Sequence, residues 1–533
     1  VVVTSDANGI RAAADPRKDT VPLEAEAAAE LVPQAALELG AWLRATLPSG
    51  AALQADSRQV LPGDAFFAYP GMRTDGRGFV DDALARGAAA VVVEAGGAVS
   101  LPRASAPVRA CAGLRTLAGC IASAYHGRPS ESLDLVAVTG TNGKTSVTQW
   151  VTHGLAGFGR RAAVIGTLGS GPAGDLQQSS GLTTPDALGL QATLARFAAS
   201  GVDCVAAEAS SIGLDQGRLN GTRIAVAAFT NLSRDHLDYH GTMEEYAQAK
   251  ARLFAWPGLR SVVVNGDDPA GRLMLAAART GPHAPQRIVY GLNPGRHGAR
   301  GDKTLIAERV FEDGSGIQMT LSGDFGSADL RLRLLGLFNV SNALAAAGCW
   351  LALGHPFEQV VEALERLASV PGRMQTIQQE GAPLVVVDYA HSPDALDNVL
   401  ASLRSVAVRR GGRLWCVFGA GGERDVGKRA QMGLVAERNA DHLVITSDNP
   451  RGESPFRIVS DIRAGLIREP ALTELDRAVA INEAIARAAV ADVVLIAGKG
   501  HENYQEIAGA RLPFSDVEVS RAALRARTEA CGV

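Results

Sequence analysis

The apolar positions of this chain fall into short unbroken runs that alternate with helix-period segments. Leu135-Val-Ala-Val138, Leu384-Val-Val-Val387, Leu414-Trp-Cys-Val-Phe418, His442-Leu-Val-Ile-Thr446 and Val493-Val-Leu-Ile496 are apolar at almost every position. Strands of this kind belong to parallel sheets covered on both faces, so the pattern predicts an α/β protein. Segment 35–43 has helical periodicity, and 64–69 and 88–93 read as strands of a small α/β domain ending near Tyr125. His126-Gly-Arg-Pro-Ser130 has a linker's composition, and Val370-Pro-Gly-Arg373 marks a second break after a helix-like stretch, 357–368. The expected organisation is a mobile extension over 1–32, in which 23–31 suits a short helix, then domains over 33–125, 126–371 and 372–533.

Nearly every buried strand runs straight into polar or glycine-rich residues, as Val387 does into Asp388 and Ile496 into Lys499. Ligands of open parallel sheets bind beyond the carboxyl ends of the strands, so two such sheets predict a site shared between domains. The densest signal is Leu135-Val-Ala-Val-Thr-Gly-Thr-Asn-Gly-Lys-Thr-Ser146, a strand entering a glycine-rich turn that ends in Lys144 and Thr145. Such a turn aims backbone N–H groups, an ammonium and a helix N-terminus at one small volume, which suits a polyphosphate with its Mg²⁺. Val138 stands where the common phosphate loop has its first glycine, so this is a shorter T-G-T-N-G-K-T turn.

Composition narrows the classes. The 533 residues are enough for about three domains, with 47% hydrophobic and 20% charged residues, as in ordinary globular proteins. A net charge of -4 without Lys/Arg clusters argues against nucleic acid and anionic lipid as partners. The six cysteines lack C-x-x-C spacing, which argues against zinc and a disulfide framework and favours a reducing cytoplasm. No apolar run reaches the roughly 18 residues of a spanning helix, and the first residues lack a basic-then-apolar signal pattern.

Further polar clusters sit at strand ends. Glu208 closes an apolar strand and suits either a metal beside phosphates or a solvated strand end. In Asp235-His-Leu-Asp-Tyr-His-Gly241, His236 suits a metal ligand or a turn cap. Lys250 lies on a helix-spaced segment, 243–254, where a solvated lysine is the default. Asn339 and Asn342 suit a base contact or a helix cap. Gly419-Ala-Gly-Gly-Glu-Arg-Asp-Val-Gly-Lys-Arg429, Ser447-Asp-Asn-Pro-Arg-Gly-Glu453 and Gly498-Lys-Gly-His-Glu502 combine backbone donors with both charges. An aspartate there can take an ammonium and an arginine fork a carboxylate, as an amino acid with a remote carboxylate requires.

These motifs, in this order, resemble those of the Mur ligase family, ATP-dependent amide ligases of peptidoglycan precursor synthesis. The resemblance covers about 52–517 and rests on Asp56-Ser-Arg58, Asp75-Gly-Arg77, Gly140-Thr-Asn-Gly-Lys-Thr145, the 235–241 and 498–502 segments, Asp388-Tyr-Ala-His391 and Asp448-Asn-Pro-Arg451. It implies a three-domain α/β fold with a central P-loop parallel-sheet ATPase domain and a Rossmann-like C-terminal domain. It also implies a cytoplasmic, ADP-forming ligase, expected to act as a monomer, that adds meso-diaminopimelate to UDP-MurNAc-L-Ala-D-Glu. By position, Ala55, Ser57, Met72, Arg73 and Thr74 would meet the uridine and muramoyl part, and Thr183, Thr184, Ser210, Gln216 and Arg218 the sugar–peptide end. Gly140, Thr141, Asn142, Gly143, Lys144, Thr145 and Ser146 would cradle ATP, with Asn342 and Arg373 as further contacts. Thr145 and Glu208 would face one Mg²⁺ and His236 a second. Lys250 would carry a CO₂-derived carbamate, a metal-facing anion that completes a catalytic set with Lys144, Glu208 and His236. Arg424, Asp448, Asn449, Pro450, Arg451, Gly498 and Glu502 would form the meso-diaminopimelate site. Ser146, Ile212 and Ala420 depart from the threonine, histidine and cysteine common in the family's motifs.

The implied chemistry is phosphorylation of the D-glutamyl γ-carboxyl by ATP, then attack by the diaminopimelate amine on the acyl phosphate. No residue pattern marks the base for that amine. Two rival readings are a related ligase adding L-lysine and a P-loop ATPase switch. The 448–451 turn opposes the first and is left without a purpose by the second.

Overall fold

The computed structural model describes residues 31–72, 74–96, 106–177, 181–293, 301–313 and 316–531. The expected extension, apart from its last two residues, lies outside the described residues, as does Arg73. Two compact units emerge, Val1–Pro129 with Ala187–Ala192 and Asn220–Thr222, and the remainder of the chain.

The first unit is built on four parallel strands, β1 (Leu53–Gln54), β2 (Ala65–Ala68), β3 (Ala90–Glu94) and β4 (Val108–Cys111), in that order. Side chains alternate across a strand, and here both faces are apolar. Ala65, Phe67, Ala90 and Val92 pack with Leu43, Leu114 and Ile121 of the helices Gln34–Thr46 and Leu114–Tyr125. Phe66, Ala68, Val91 and Val93 pack with Val80 and Ala83 of the short helix Val80–Ala85. The two Asp-x-Arg motifs turn out to be the same device. Asp56 and Asp75 each accept the backbone N–H two residues on (3.0 Å) and cap a single 3-10 turn, while pairing with Arg58 and Arg77.

The second unit holds two large sheets. One has ten strands: β5 (Asp134–Thr139), β6 (Ala162–Gly166), β7 (Gly169–Pro172), β8 (Cys204–Glu208), β9 (Val226–Phe229), β10 (Ser261–Asn265), β11 (Gln286–Gly291), β12 (Lys303–Glu312), β13 (Ile317–Gly323) and β14 (Gly326–Leu332). Their order is β14-β13-β12-β11-β10-β9-β5-β8-β6-β7. The strands from β12 to β6 run parallel, and β13, β14 and β7 add antiparallel edges. Helices Lys144–Gly157 and Phe338–Ala352 cover one face, and Trp350 Nε1 donates to the Val151 carbonyl at 3.1 Å. The other sheet contains β15 (Gln375–Ile377), β16 (Leu384–Asp388), β17 (Leu414–Phe418), β18 (His442–Ile445), β19 (Leu472–Thr473) and β20 (Val493–Ala497), ordered β15-β16-β20-β17-β18-β19. All but β15 are parallel. A small hairpin, β21 (Tyr504–Ile507) with β22 (Ala510–Pro513), follows.

Every strand expected from an apolar run is present. Two helices stop three residues early, Phe357–Glu365 and Met243–Ala251. In both, the continuing N–H groups bond three residues back, as in Leu367 to Leu364 (3.2 Å) and Leu253 to Lys250 (3.1 Å), so the last turn tightens into 3-10 geometry.

One buried ion pair fixes the second sheet's ligand end. Arg477 and Asp516, both fully buried, pair at 2.7 and 2.8 Å, and Arg477 also donates to the Ser447 and Ala497 carbonyls. Arg477→Met would strand a buried carboxylate and should cost about 3–5 kcal/mol in urea unfolding. The double change with Asp516→Asn should recover most of that loss. A single-variant cost under about 1 kcal/mol would show the pair to be dispensable.

Candidate active site

The glycine-rich turn forms where β5 ends and helix Lys144–Gly157 begins. Gly143 takes φ +86°, and a Cβ there would fall 2.2 Å from Asn342 Oδ1, so only glycine lets the asparagine close on the loop. The residues after β9 cradle the turn from beneath. Asn231 Oδ1 accepts the Asn142 N–H (2.8 Å), and Thr230 Oγ1 donates to the Asn142 carbonyl (2.6 Å). Lys144 Nζ curls back to donate to the Gly140 and Thr141 carbonyls, both at 2.8 Å. Burial lowers its pKa, Glu208 and Asp235 oppose that, and Arg373 adds to it. A cavity of about 570 Å³ opens above the turn and takes Lys144, Glu208 and His236 from the ten-stranded sheet and Arg373, Tyr389 and His391 from the six-stranded one. The cavity is therefore lined from both sheets of this unit.

Around the turn the expected groups converge. Thr145 Oγ1 accepts from Arg373 Nη2 at 3.2 Å, and the Arg373 guanidinium stacks 4.2 Å above the Tyr389 ring. Asp388, at the end of β16, accepts the N–H groups of Met374 (2.7 Å) and Ala390 (2.8 Å), which fixes the neighbours of Arg373 and His391. Buried Glu208 closes β8 and accepts from Thr167 N (2.8 Å) and Thr167 Oγ1 (3.1 Å). His236 adopts a left-handed backbone (φ +53°) that bulky residues rarely take, and its Nε2 lies 3.6 Å from Asp235 Oδ2. The second histidine of that motif plays a different part: His240 is buried and bonds Ser211 Oγ at 2.9 Å.

Lys250 is not the solvated helix lysine its segment suggests. It is 1% exposed, its Nζ lies 4.2 Å from the Tyr246 ring centroid, and among the described residues it has no ion pair. Burial first, and the Lys144 cation second, push its pKa well below the ordinary lysine value, with Asp235 opposing. Tyr246, four residues earlier on the same helix face, was missed in the sequence. Its hydroxyl lies 3.1 Å from Thr141 Oγ1 and its ring 6.2 Å from that of His236, so it ties phosphate turn, lysine and histidine together.

The groups assigned to the sugar–peptide end form one hydrogen-bonded cluster. Thr184 Oγ1 lies 3.1 Å from Ser210 Oγ, which caps helix Ser211–Asp215. Arg218 donates twice to Gln216 Oε1 (3.0 and 2.7 Å) and once to the Thr184 carbonyl (2.7 Å). Thr183 Oγ1 lies 3.1 Å from Thr167 Oγ1, whose single hydroxyl hydrogen goes to Glu208, so Thr183 is the donor of that pair. In the first unit, Ser57 is buried, while Ala55, Met72 and Thr74 are exposed.

The final sheet brings its three loops together. Asn449 donates to Glu502 Oε2 (2.8 Å), and fully buried Lys499 donates to both Asn449 Oδ1 and Glu502 Oε2 at 2.9 Å. A Cβ on Gly498 would fall 2.3 Å from Asp448 Oδ2, so the glycine permits that approach. Arg451 takes φ +53°, its backbone N–H and carbonyl bond Glu506 (2.9 Å) and Ala508 (2.7 Å), and its Nη1 donates to the Gly422 carbonyl (2.7 Å). Arg424 borders the same place: both its Cγ and Arg451 Nη1 lie within 4 Å of a Cβ built on Gly421. Arg429 and Lys499 were not foreseen as part of this framework. Arg429 is fully buried and pairs with Glu453 (2.7 Å) and Asp461 (2.8 Å), and Glu453 in turn accepts the Glu423 N–H at 3.0 Å. Nothing in the spacing of Arg429 distinguished it from a surface cation, whereas Lys499 stands at a strand end that its apolar run marks but without a role assigned to its side chain.

Profiles of known families match three stretches: the Mur ligase family catalytic domain over 51–126, the Mur ligase middle domain over 138–350 and the Mur ligase glutamate ligase domain over 372–500. The UDP-N-acetylmuramoyl-L-alanyl-D-glutamate–2,6-diaminopimelate ligase of Acidovorax sp. (strain JS42) is 48% identical over 494 residues, 91% of this chain and 96% of that protein. The Pseudomonas aeruginosa protein of the same name is 50% identical over 475 residues, 89% of this chain and 95% of its own. A solved structure of a protein so named superposes with a TM-score of 0.62 at 38% identity, covering 89% of this chain and 95% of that one. By these matches, and by the phosphate turn and loops they span, the chain belongs to the Mur ligase family.

Proposed function

We propose that this protein is the ATP-dependent, ADP-forming ligase that joins meso-diaminopimelate to UDP-MurNAc-L-Ala-D-Glu in peptidoglycan precursor synthesis. One observation carries the reading: Arg424, Asp448, Asn449, Arg451 and Glu502 converge in the same compact unit as the phosphate turn. Two carboxylates and two guanidinium groups match a substrate with two ammonium and two carboxylate groups. Lysine has one carboxylate fewer and would leave a guanidinium without a substrate partner, Arg451 keeping only Glu506 at 3.6 Å.

Lys144 exchanges the Gly140 and Thr141 carbonyls for phosphate oxygens, and with the turn's N–H groups it stabilises charge on the transferring phosphoryl group. Thr183, Thr184, Ser210, Gln216 and Arg218, one hydrogen-bonded cluster, are suited to the sugar–peptide end. Thr145, Glu208 and His236 offer oxygen and imidazole donors for Mg²⁺, whose charge offsets that of the phosphates. Among the described residues no three His, Cys, Asp or Glu side chains form a ready metal cluster, which fits an ion held chiefly by phosphates. Lys250 suits the carbamate: an ammonium this buried, under the field of the Lys144 cation that Asp235 only partly opposes and without an ion pair among the described residues, is costly, and CO₂ addition makes it an anion.

The substrates divide the readings by phosphate release. With ATP and UDP-MurNAc-L-Ala-D-Glu, diaminopimelate should give release and a lengthened peptide, whereas lysine and no amino acid should not. Release independent of the amino acid would replace ligation with a plain ATPase. Use of lysine at a comparable rate would replace the substrate. Among the described residues no helix is long and apolar enough to cross a membrane.

A further inference from the structure

We propose that His391 is the base that takes the proton from the incoming amine. The inference rests on the ligase reading above and adds a residue that the phosphate turn and amino-acid loops do not supply.

His391 Nδ1 lies 2.8 Å from the Tyr389 carbonyl oxygen. A carbonyl only accepts, so Nδ1 carries the hydrogen and the lone pair sits on Nε2. Among the described residues Nε2 has no hydrogen-bond partner, and the ring lines the cavity that also holds Lys144 and Asp235. The backbone around it is rigid, because Asp388 grips the Ala390 N–H at 2.8 Å and the Tyr389 ring stands edge-on at 4.6 Å. The charged groups around it are Lys428, Asp235 and Arg373. The Tyr389 ring lies 4.6 Å from His391 and 5.3 Å from His501 of the 498–502 loop, and Asp394, three residues after His391, accepts from Asn142 of the glycine-rich turn at 3.0 Å, so His391 stands between that turn and an amino-acid loop, where an amine must meet an acyl phosphate.

The nearby carboxylates each have one oxygen tied by protein donors, which suits them to hold an ammonium as ionised acceptors rather than to take its proton. Glu502 Oε2 is bonded to Lys499 and Asn449, Asp448 Oδ1 holds the Asn449 N–H, and Asp394 accepts from Asn142 at 3.0 Å. Asp235 is turned to its neighbour, with Oδ1 accepting the His236 N–H at 2.9 Å and Oδ2 3.6 Å from His236 Nε2. Burial and the Lys428 cation hold the His391 imidazole down at about 4, so it is neutral near pH 7 and its lone pair is available. The same cations lower the pKa of an ammonium bound beside them, and the nucleotide's phosphates raise that of the imidazole, which brings donor and acceptor together.

The step balances. Nε2 takes one proton from the ammonium, the freed pair forms the C–N bond, and the C–O bond to phosphate breaks with its electrons on oxygen. The nitrogen's second proton leaves with the phosphate, giving an amide, hydrogen phosphate and imidazolium, which returns its proton to water.

Hydroxylamine, an unprotonated nucleophile at neutral pH, tests this because it traps the acyl phosphate without needing a base. In His391→Asn, which keeps a donor for the Tyr389 carbonyl, tripeptide formation should fall by about 10²-fold or more. Hydroxamate formation from UDP-MurNAc-L-Ala-D-Glu and ATP should stay within a few-fold of wild type, and His391→Gln should behave alike. Tripeptide formation within a few-fold of wild type, or equal loss of hydroxamate and tripeptide in both variants, would overturn the proposal. Wild-type protein that makes hydroxamate but no tripeptide would overturn the ligase reading itself.

Discussion

Replacing Lys144 with methionine should lower phosphate release by about 10³-fold, the scale of losing one preorganised donor to a developing anion. The side chain is half-buried, and its stem can be matched by methionine, so packing is retained. What disappears is the ammonium, which rests 2.8 Å from each of two loop carbonyls on a side chain that lines the cavity. Thr141 lines the cavity and its carbonyl can take water, whereas Gly140 is buried and loses a donor, so a stability loss of about 1 kcal/mol is expected. Lys250 is affected in the opposite sense: the Lys144 cation lowers its pKa, so removing that cation lets it rise. Steady-state phosphate release and the melting temperature decide the matter together. A rate within tenfold of wild type, in a folded variant, would remove Lys144 from the chemistry.

Arg451→Ala should weaken diaminopimelate by about 10²-fold or more in kcat/KM, because truncating one partner of a desolvated charge pair costs about 2–5 kcal/mol. The KM for ATP should remain near its wild-type value. The truncation leaves the turn standing, since its backbone bonds to Glu506 and Ala508 involve no side-chain atom, and alanine suffers the φ +53° conformation no more than arginine does. Selectivity is the sharper readout. A site whose cation demands a partner rejects the analogue lacking it by about 10⁴-fold or more, and that margin over lysine should shrink. An unchanged diaminopimelate KM would refute the assignment of this guanidinium to the distal carboxylate.

Much of this was legible along the chain for a definite reason. A parallel strand buried on both faces has no polar positions until it ends, so its carboxyl end announces itself as the first Gly, Asp or Lys after an apolar run. Thr139 into Gly140, Val387 into Asp388 and Ala497 into Gly498 are such places, and each lines the ligand end of its sheet. Where a helix supplies the group the signal fails. Lys250, Tyr246 and Arg429 sit among ordinary helical residues, and only packing reveals that two cations there are 1% exposed or less. The Asp56 and Asp75 motifs were recognisable by composition, but their common job as caps of 3-10 turns needed the backbone.

The order of residues alone determined the α/β class, the glycine-rich turn and the family, because unbroken apolar runs and glycine positions are properties of neighbours in the chain. Tertiary structure decided which remote groups share a volume. Arg373 reaches Thr145 across 228 residues, Lys499 holds Asn449 across 50, and His391 is aimed by its own backbone into a cavity built by two sheets. Such contacts arise where strands adjacent in a sheet are distant in sequence, as β5 lies beside β8 and β9, and β16 beside β20. Burial, and with it the charge state of Lys250 and His391, exists only once those sheets have closed over the side chains.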